Sequence, residues 1–112
     1  MKHNIDGQLA ENKVADMLQS GGYLILDRNW KTRKCEIDIV ARKDNCVYFV
    51  EVKFRTSVAQ GSGFEYITSA KLRQMEFAAN YWVAVNKWAG EYMLSGASVS
   101  GSDFQIEFIE EL

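Results

Sequence analysis

Residues 36–53, EIDIVARKDNCVYFVEVK, alternate apolar and polar positions in two runs joined through Asp44-Asn45, and a β-hairpin is the arrangement that accommodates them. Both loop residues tolerate the positive φ that a two-residue hairpin turn requires. Such a turn sets Lys43 opposite Cys46, Asp38 opposite Glu51 and Glu36 opposite Lys53. Side chains alternate with period two, so Ile37, Ile39 and Ala41 share a core face with Tyr48, Val50 and Val52. The other face carries Val40, Val47 and Phe49 at one end and Glu36, Asp38, Glu51 and Lys53 at the other. A four-residue loop would keep these faces, whereas a three-residue loop with a bulge would not.

The flanking segments suit a sheet covered by helices. Ala10, Val14, Met17 and Leu18 form one stripe at helical spacing, which predicts a helix from about Gly7 to Ser20, ended by Gly21-Gly22. Tyr23–Leu26 reads as a short buried strand, followed by a polar connection through Asp27 to Cys35. After a loop from Thr56 to Gly63, a long helix is expected from Thr68 or Ser69 to Trp88, with Leu72, Met75, Ala79, Trp82 and Val83 on its apolar face. Two more strands fit between Tyr92 and Ile109, divided by Gly101-Ser102-Asp103. Proline is absent, so glycine, asparagine and aspartate make the turns. The 112 residues allow one domain, 1–112, in the order αβββαβ.

Composition excludes several classes of function. Two cysteines and one histidine cannot assemble a Cys/His zinc site or support a Cys/His nucleophile. Cys35 and Cys46 lie at opposite ends of the hairpin, roughly 25 Å apart by strand rise, too far for a disulfide. No apolar run reaches the roughly 18 residues of a membrane span, and the first residues lack the apolar stretch of a secretory signal, so a cytoplasmic protein is expected. The formal net charge of −2 hides an asymmetry: from Arg28 to Arg55 eight bases meet four acids, a local net of +4, while the remainder nets −6. This basic middle, Arg33 and Lys34 included, can attract phosphate. Bases that merely solvate strands produce the same local excess, and the acidic balance elsewhere suits a protein-interaction domain.

The charged end of the hairpin has its own chemistry. Two carboxylates opposed on neighbouring strands repel, and a divalent cation removes that cost, because Mg²⁺ is a hard ion that takes carboxylates, phosphates and water. The carbonyl of Val52 is a further oxygen ligand in reach, and Lys53 points the same way as Glu51, where it could act on an attacking water or on a pentavalent phosphate. Taken alone, the pattern D-x(12)-E-x-K also describes an ordinary solvated strand face with weak surface pairs. Glu11 lies at the border of the first helix's stripe, placed either to join the cation site or to face solvent.

Three blocks carry a resemblance: GQLAENKVADMLQSGGYLILDRNWK, EIDIVA and FVEVKFR. Together they look like the YraN family of small bacterial endonuclease-like proteins, over most of the chain from Gly7 through the Lys71 helix. That family is similar in core motif to archaeal Holliday-junction resolvases and belongs to the PD-(D/E)XK, restriction-endonuclease-like superfamily. The resemblance implies a central mixed sheet flanked by helices, with the first helix on one side and the second packed near it. It further implies that Asp38 and Glu51 hold Mg²⁺ or Mn²⁺, that Lys53 is the catalytic lysine, and that Glu11 assists. Glu36 matches the first acid of the family's G-E-I-D segment, without an assignable role, and Arg55 and Lys71 match basic positions suited to phosphate contact. The implied activity is hydrolysis of DNA phosphodiester bonds in branched or otherwise structured DNA, and related resolvases suggest a homodimer. A catalytically silent nucleic-acid-binding module is the alternative. Cys35 and Ala10 stand where the family usually has glycine, and the Gly61–Phe64 loop lacks the usual proline; these departures touch substrate handling and remove no metal ligand. Among the aromatics that could stack on bases, Trp82 reads as core, and Trp30 serves equally as an exposed platform or as a staple against the sheet.

Overall fold

The computed structural model describes residues 5–56 and 64–112; the expected loop from Thr56 to Gly63 therefore lies, apart from Thr56, outside the described residues. The elements are α1 (Ile5–Ser20), β1 (Leu24–Lys31), β2 (Glu36–Lys43), β3 (Cys46–Arg55), α2 (Ser69–Asn86), β4 (Glu91–Ser100) and β5 (Gln105–Ile109). One five-stranded sheet has the order β1-β2-β3-β4-β5. Its β3–β4 pair is parallel and the others are antiparallel, giving the mixed α/β arrangement expected of a restriction-endonuclease-like core. Parallel neighbours need a crossover, and α2 lies within it.

The turn chemistry reads directly from the residues. At the end of α1, Tyr23 N–H donates to Leu18 O (2.9 Å) and Gly22 N–H to Gln19 O (3.1 Å). This pattern requires a left-handed residue, supplied by Gly22 at φ +93°. The β2–β3 turn takes Asp44 to φ +55°, and the pairing runs from Lys43↔Cys46 to Ile39↔Val50 in the expected register. α2 starts at Thr68, whose hydroxyl accepts from Lys71 N–H (3.1 Å). It ends at Lys87 in the left-handed region, so Trp88 lies beyond the helix rather than within it.

β3 is apolar on both faces because both are covered. Tyr48 and Val50 join Ala10, Val14, Ala15 and Leu18 of α1, together with Ile39, Ala41, Ala97 and Val99. Val47 and Phe49 join Ala78, Ala79 and Trp82 of α2, with Ile37 and Val40. The two helices thus sit on opposite faces of the sheet, which corrects the expectation that α2 packs near α1. Trp82 is core as expected; its indole Nε1–H donates to Asp27 Oδ2 at 2.8 Å.

Three further corrections concern the strands. β1 extends to Lys31 instead of stopping at Leu26, and it is an edge strand with Leu24 62% exposed. A register shift between Ile25 and Asp27 disrupts the alternation that would have revealed it. Trp30 is a staple rather than an exposed platform: it packs against the α2-side cluster and meets Tyr81 edge-on at 5.9 Å. Ile37 lies on the α2 face, opposite in side to Ile39. A regular pleat would keep residues two apart on one face, so the pleat of β2 slips at Asp38. Both cysteines are free thiols, and no described helix is long and apolar enough to cross a membrane.

Candidate functional site

The slip at Asp38 creates the site. The β2–β3 ladder ends at Ile39↔Val50, so Asp38 does not pair across from Glu51, nor Glu36 across from Lys53, as a continuous hairpin would have had it. Instead Asp38 Oδ2 accepts the backbone N–H of Val52 at 2.8 Å. A carboxylate oxygen takes the place of the next ladder acceptor, and the side chain is thereby held at the split between the strands. Opposite the slip, between the pairs Arg28↔Ile39 and Trp30↔Ile37, Asn29 adopts φ +52°.

Four carboxylates from three elements bear on this point. Burial pushes the Asp38 carboxyl up to about 7, and the charge of Glu51 adds to it; the Val52 N–H opposes the rise, and Glu11 and Glu36 reinforce it. Glu51 follows Val47 and Phe49 on the α2 face of β3. Its Oε2 lies 2.9 Å from Lys71 Nζ, with the two side chains 20% and 32% exposed. Glu11, only 6% exposed, faces inward from α1. Its Oε1 accepts from Arg28 Nη2 at 2.8 Å and from Asn29 Nδ2 at 3.0 Å. Each outer acid therefore has its own cation, while among the described residues Asp38 has the Val52 amide.

The donor set fits a hard divalent cation. Its atoms are carboxylate oxygens, the ligand type such an ion takes, and burial first, then the charge of Glu51, raises the Asp38 pKa to about 7, a rise that a bound cation would oppose. Lys71 holds one oxygen of Glu51, Oε2, and its positive charge competes with a cation at that carboxylate; among the described residues no three His, Cys, Asp or Glu side chains already form a metal-binding group. Val52 contributes its N–H to Asp38, and its carbonyl stays an expected ligand. Lys53 shares the Glu51 face by strand alternation, is exposed, and makes no ion pair within 4.0 Å among the described residues. Glu36 pairs with Lys31 at 3.7 Å, both well exposed, instead of with Lys53.

A groove of about 780 Å³ opens from Glu51 between the β1–β2 loop and α2. Lys31, Arg33, Lys34, Lys71 and Arg73 supply its bases. Thr32 shapes the loop: its hydroxyl accepts the N–H groups of Lys34 and Cys35, each at 3.1 Å, leaving Arg33 and Lys34 exposed. Arg55 sits four residues beyond Glu51 on β3, half-buried, and does not line this groove.

Several participants were not legible beforehand. Arg28 and Asn29 lay in what looked like a polar connection, and their contacts with Glu11 span 17 and 18 residues. The Tyr66 hydroxyl lies 3.5 Å from the Glu51 carbonyl. Burial first, then Glu51 and Asp38, raises its pKa, so it stays protonated. Arg73 carried no signal beyond its charge. Phe77, outside the expected apolar face of α2, is 49% exposed on the groove wall.

Comparison with known proteins identifies the family. The sequence model described as "Uncharacterised protein family UPF0102" matches residues 10–106. A UPF0102 protein of Lachnoclostridium phytofermentans is 42% identical over 87 residues, covering 78% of this chain and 74% of that protein. One from Flavobacterium psychrophilum is 36% identical over 112 residues, covering 98% and 94%. One from Cytophaga hutchinsonii is 28% identical over 110 residues, covering 98% and 97%. The chain belongs to the UPF0102 family, the YraN group that its motif blocks resemble.

Proposed function

We propose that this protein is a Mg²⁺- or Mn²⁺-dependent endonuclease that hydrolyses DNA phosphodiester bonds. The observation that carries the reading is Asp38, a carboxyl held at a strand split with its pKa up to about 7, beside a Glu51 that forms the inner wall of a basic groove. Asp38, Glu51 and the Val52 carbonyl would hold the cation. Bound there, it supplies neutralisation of phosphate charge and acidification of water. Arg33, Lys34 and Arg73 hold the DNA backbone, contacts that position a strand without reading its sequence. Lys53, on the face of Glu51, stabilises the charge that develops on the attacked phosphate. Arg28 and Asn29 fix the Glu11 carboxylate at the α1 seam, so that its charge faces the site from the other side. The exposed ring of Phe77 offers a stacking surface to an unpaired base, which favours branched or single-stranded regions as substrate.

A catalytically silent nucleic-acid-binding module is the second reading, and the Lys71–Glu51 pair favours it, because that pair fills one metal ligand with an ammonium. Incubation with single-stranded, duplex and branched DNA in Mn²⁺ separates the two. Cleavage by the wild type that disappears in Lys53→Ala supports the enzyme. Equal residual cleavage by both proteins refutes it.

A further inference from the structure

We propose that Lys71 is a resident counter-cation of Glu51, displaced jointly by a divalent cation and a phosphate-bearing strand, so that the two ligands assist each other's binding through one lysine. The proposal rests on the metal-site reading above and adds a coupling to it. Three features of the chain point to it. Lys71 occupies the third residue of α2, with Thr68 as the cap accepting its N–H. A threonine cap is commonly answered at that position by Glu or Gln, which returns a hydrogen bond to the cap, and the positive end of the helix favours an acid there. The first turn of α2 has no acid at all. A lysine breaks both local preferences, and the compensation in the fold is its ion pair with Glu51 at 2.9 Å.

The pair is only partly buried, and Lys71 lies on the groove wall with Arg33, Lys34 and Arg73. Its flexible stem lets the ammonium leave the carboxylate for a phosphate oxygen in the same groove. A cation arriving at Glu51 meets the repulsion of that ammonium and competes with it for the carboxylate. A phosphate that draws the ammonium away leaves Glu51 open to the cation. Binding linkage is reciprocal, so each ligand raises the other's affinity. In the free protein Lys71 holds metal affinity down.

Calorimetric titration with Mn²⁺ alone tests the first half. Lys71→Gln is expected to tighten Mn²⁺ binding about 3- to 10-fold, the range set by losing a partly exposed competing ion pair and a nearby positive charge. Lys71→Arg keeps the wild-type affinity, and Arg73→Gln, which removes the same charge from the groove without an ion pair to Glu51, changes it less than about twofold. A merely structural role for Lys71 would weaken binding on substitution. Unchanged or weaker binding in Lys71→Gln, or an equal gain in Arg73→Gln, overturns the proposal. Glu51→Gln separates the levels: if it leaves Mn²⁺ binding intact, the metal-site reading falls and the proposal with it. If it abolishes binding while Lys71→Gln brings no gain, the proposal alone falls. The second half is read in EDTA with a single-stranded 12-mer oligodeoxynucleotide. Glu51→Gln tightens its binding by a factor at least about threefold greater in the Lys71 protein than in the Lys71→Gln background. Additive effects overturn the exchange.

Discussion

Replacing Asp38 by asparagine in the metal-free protein is predicted to remove a pH dependence of folding that the wild type shows between pH 5 and 8. The carboxyl titrates at about 7 in the fold against 3.8 when unperturbed. Below 3.8 both folded and unfolded chains hold the proton and the group contributes nothing. As pH rises towards 7 the unfolded chain releases its proton while the fold retains it, so unfolding becomes progressively easier. Above 7 both are ionised and the full penalty of a buried, crowded carboxylate is felt. From pH 5 to pH 8 the interval amounts to about two pKa units, or about 2.7 kcal/mol at 1.36 kcal/mol per unit; solvent contact at the strand split reduces this to about 2 kcal/mol. Asparagine keeps an oxygen for the Val52 N–H, so the fold at Asp38 survives the change. The assay is urea denaturation in EDTA at pH 5, 6, 7 and 8, taking the difference between the two proteins at each pH so that other titrating groups cancel. Asp38→Asn gains on the wild type by about 2 kcal/mol across that range, and Mn²⁺ at pH 8 restores the wild type alone. Parallel stability profiles, or a gap that narrows as pH rises, would show that Asp38 does not carry this pH dependence.

Glu11→Gln is expected to cost about 1–3 kcal/mol in urea denaturation, because it leaves Arg28 without its carboxylate at a largely buried seam; no loss would show that the pair is not structural. Phe77→Ala should weaken binding of a single-stranded 12-mer about 5- to 10-fold in fluorescence anisotropy while duplex binding changes little, as expected when one stacking ring is lost. Equal losses on both forms would mean that the ring does not meet unpaired bases. Lys31→Gln, which breaks only an exposed pair with Glu36, should alter stability by less than about 0.5 kcal/mol. A larger loss would show that this pair anchors the β1–β2 loop.

What could be read in advance was local and periodic. The stripe of Ala10, Val14 and Leu18, the Gly21-Gly22 stop and the Asp44-Asn45 turn each follow from interactions within a few residues, and each is found in the fold. The register of the hairpin held as far as Ile39 and Val50 because the alternation there is uninterrupted. It broke at Asp38 because that side chain competes for the Val52 N–H, and period-two reasoning has no term for a carboxylate that replaces a backbone acceptor. β1 was cut short for a related reason: Asp27 is spent on the Trp82 indole and Arg28 on Glu11, partners 55 and 17 residues away, so the strand lost its alternation. The side of the sheet chosen by α2 was likewise beyond local reading, since apolar spacing reveals that a helix has a buried face but not which sheet face receives it. Asp38 and Glu51 were visible as candidates through the hairpin alternation, and Glu11 through its place on the border of the α1 stripe. The cations that balance Glu51 and Glu11 in the free chain became visible only in the fold.

Crystals of the protein soaked in Mn²⁺ and measured at the manganese absorption edge test the central claim most directly. One anomalous peak is expected at the β2–β3 split, between the carboxylates of Asp38 and Glu51, with the Lys71 ammonium withdrawn from Glu51. A peak seated elsewhere, or none at millimolar Mn²⁺ with Lys71 still on Glu51, would contradict it.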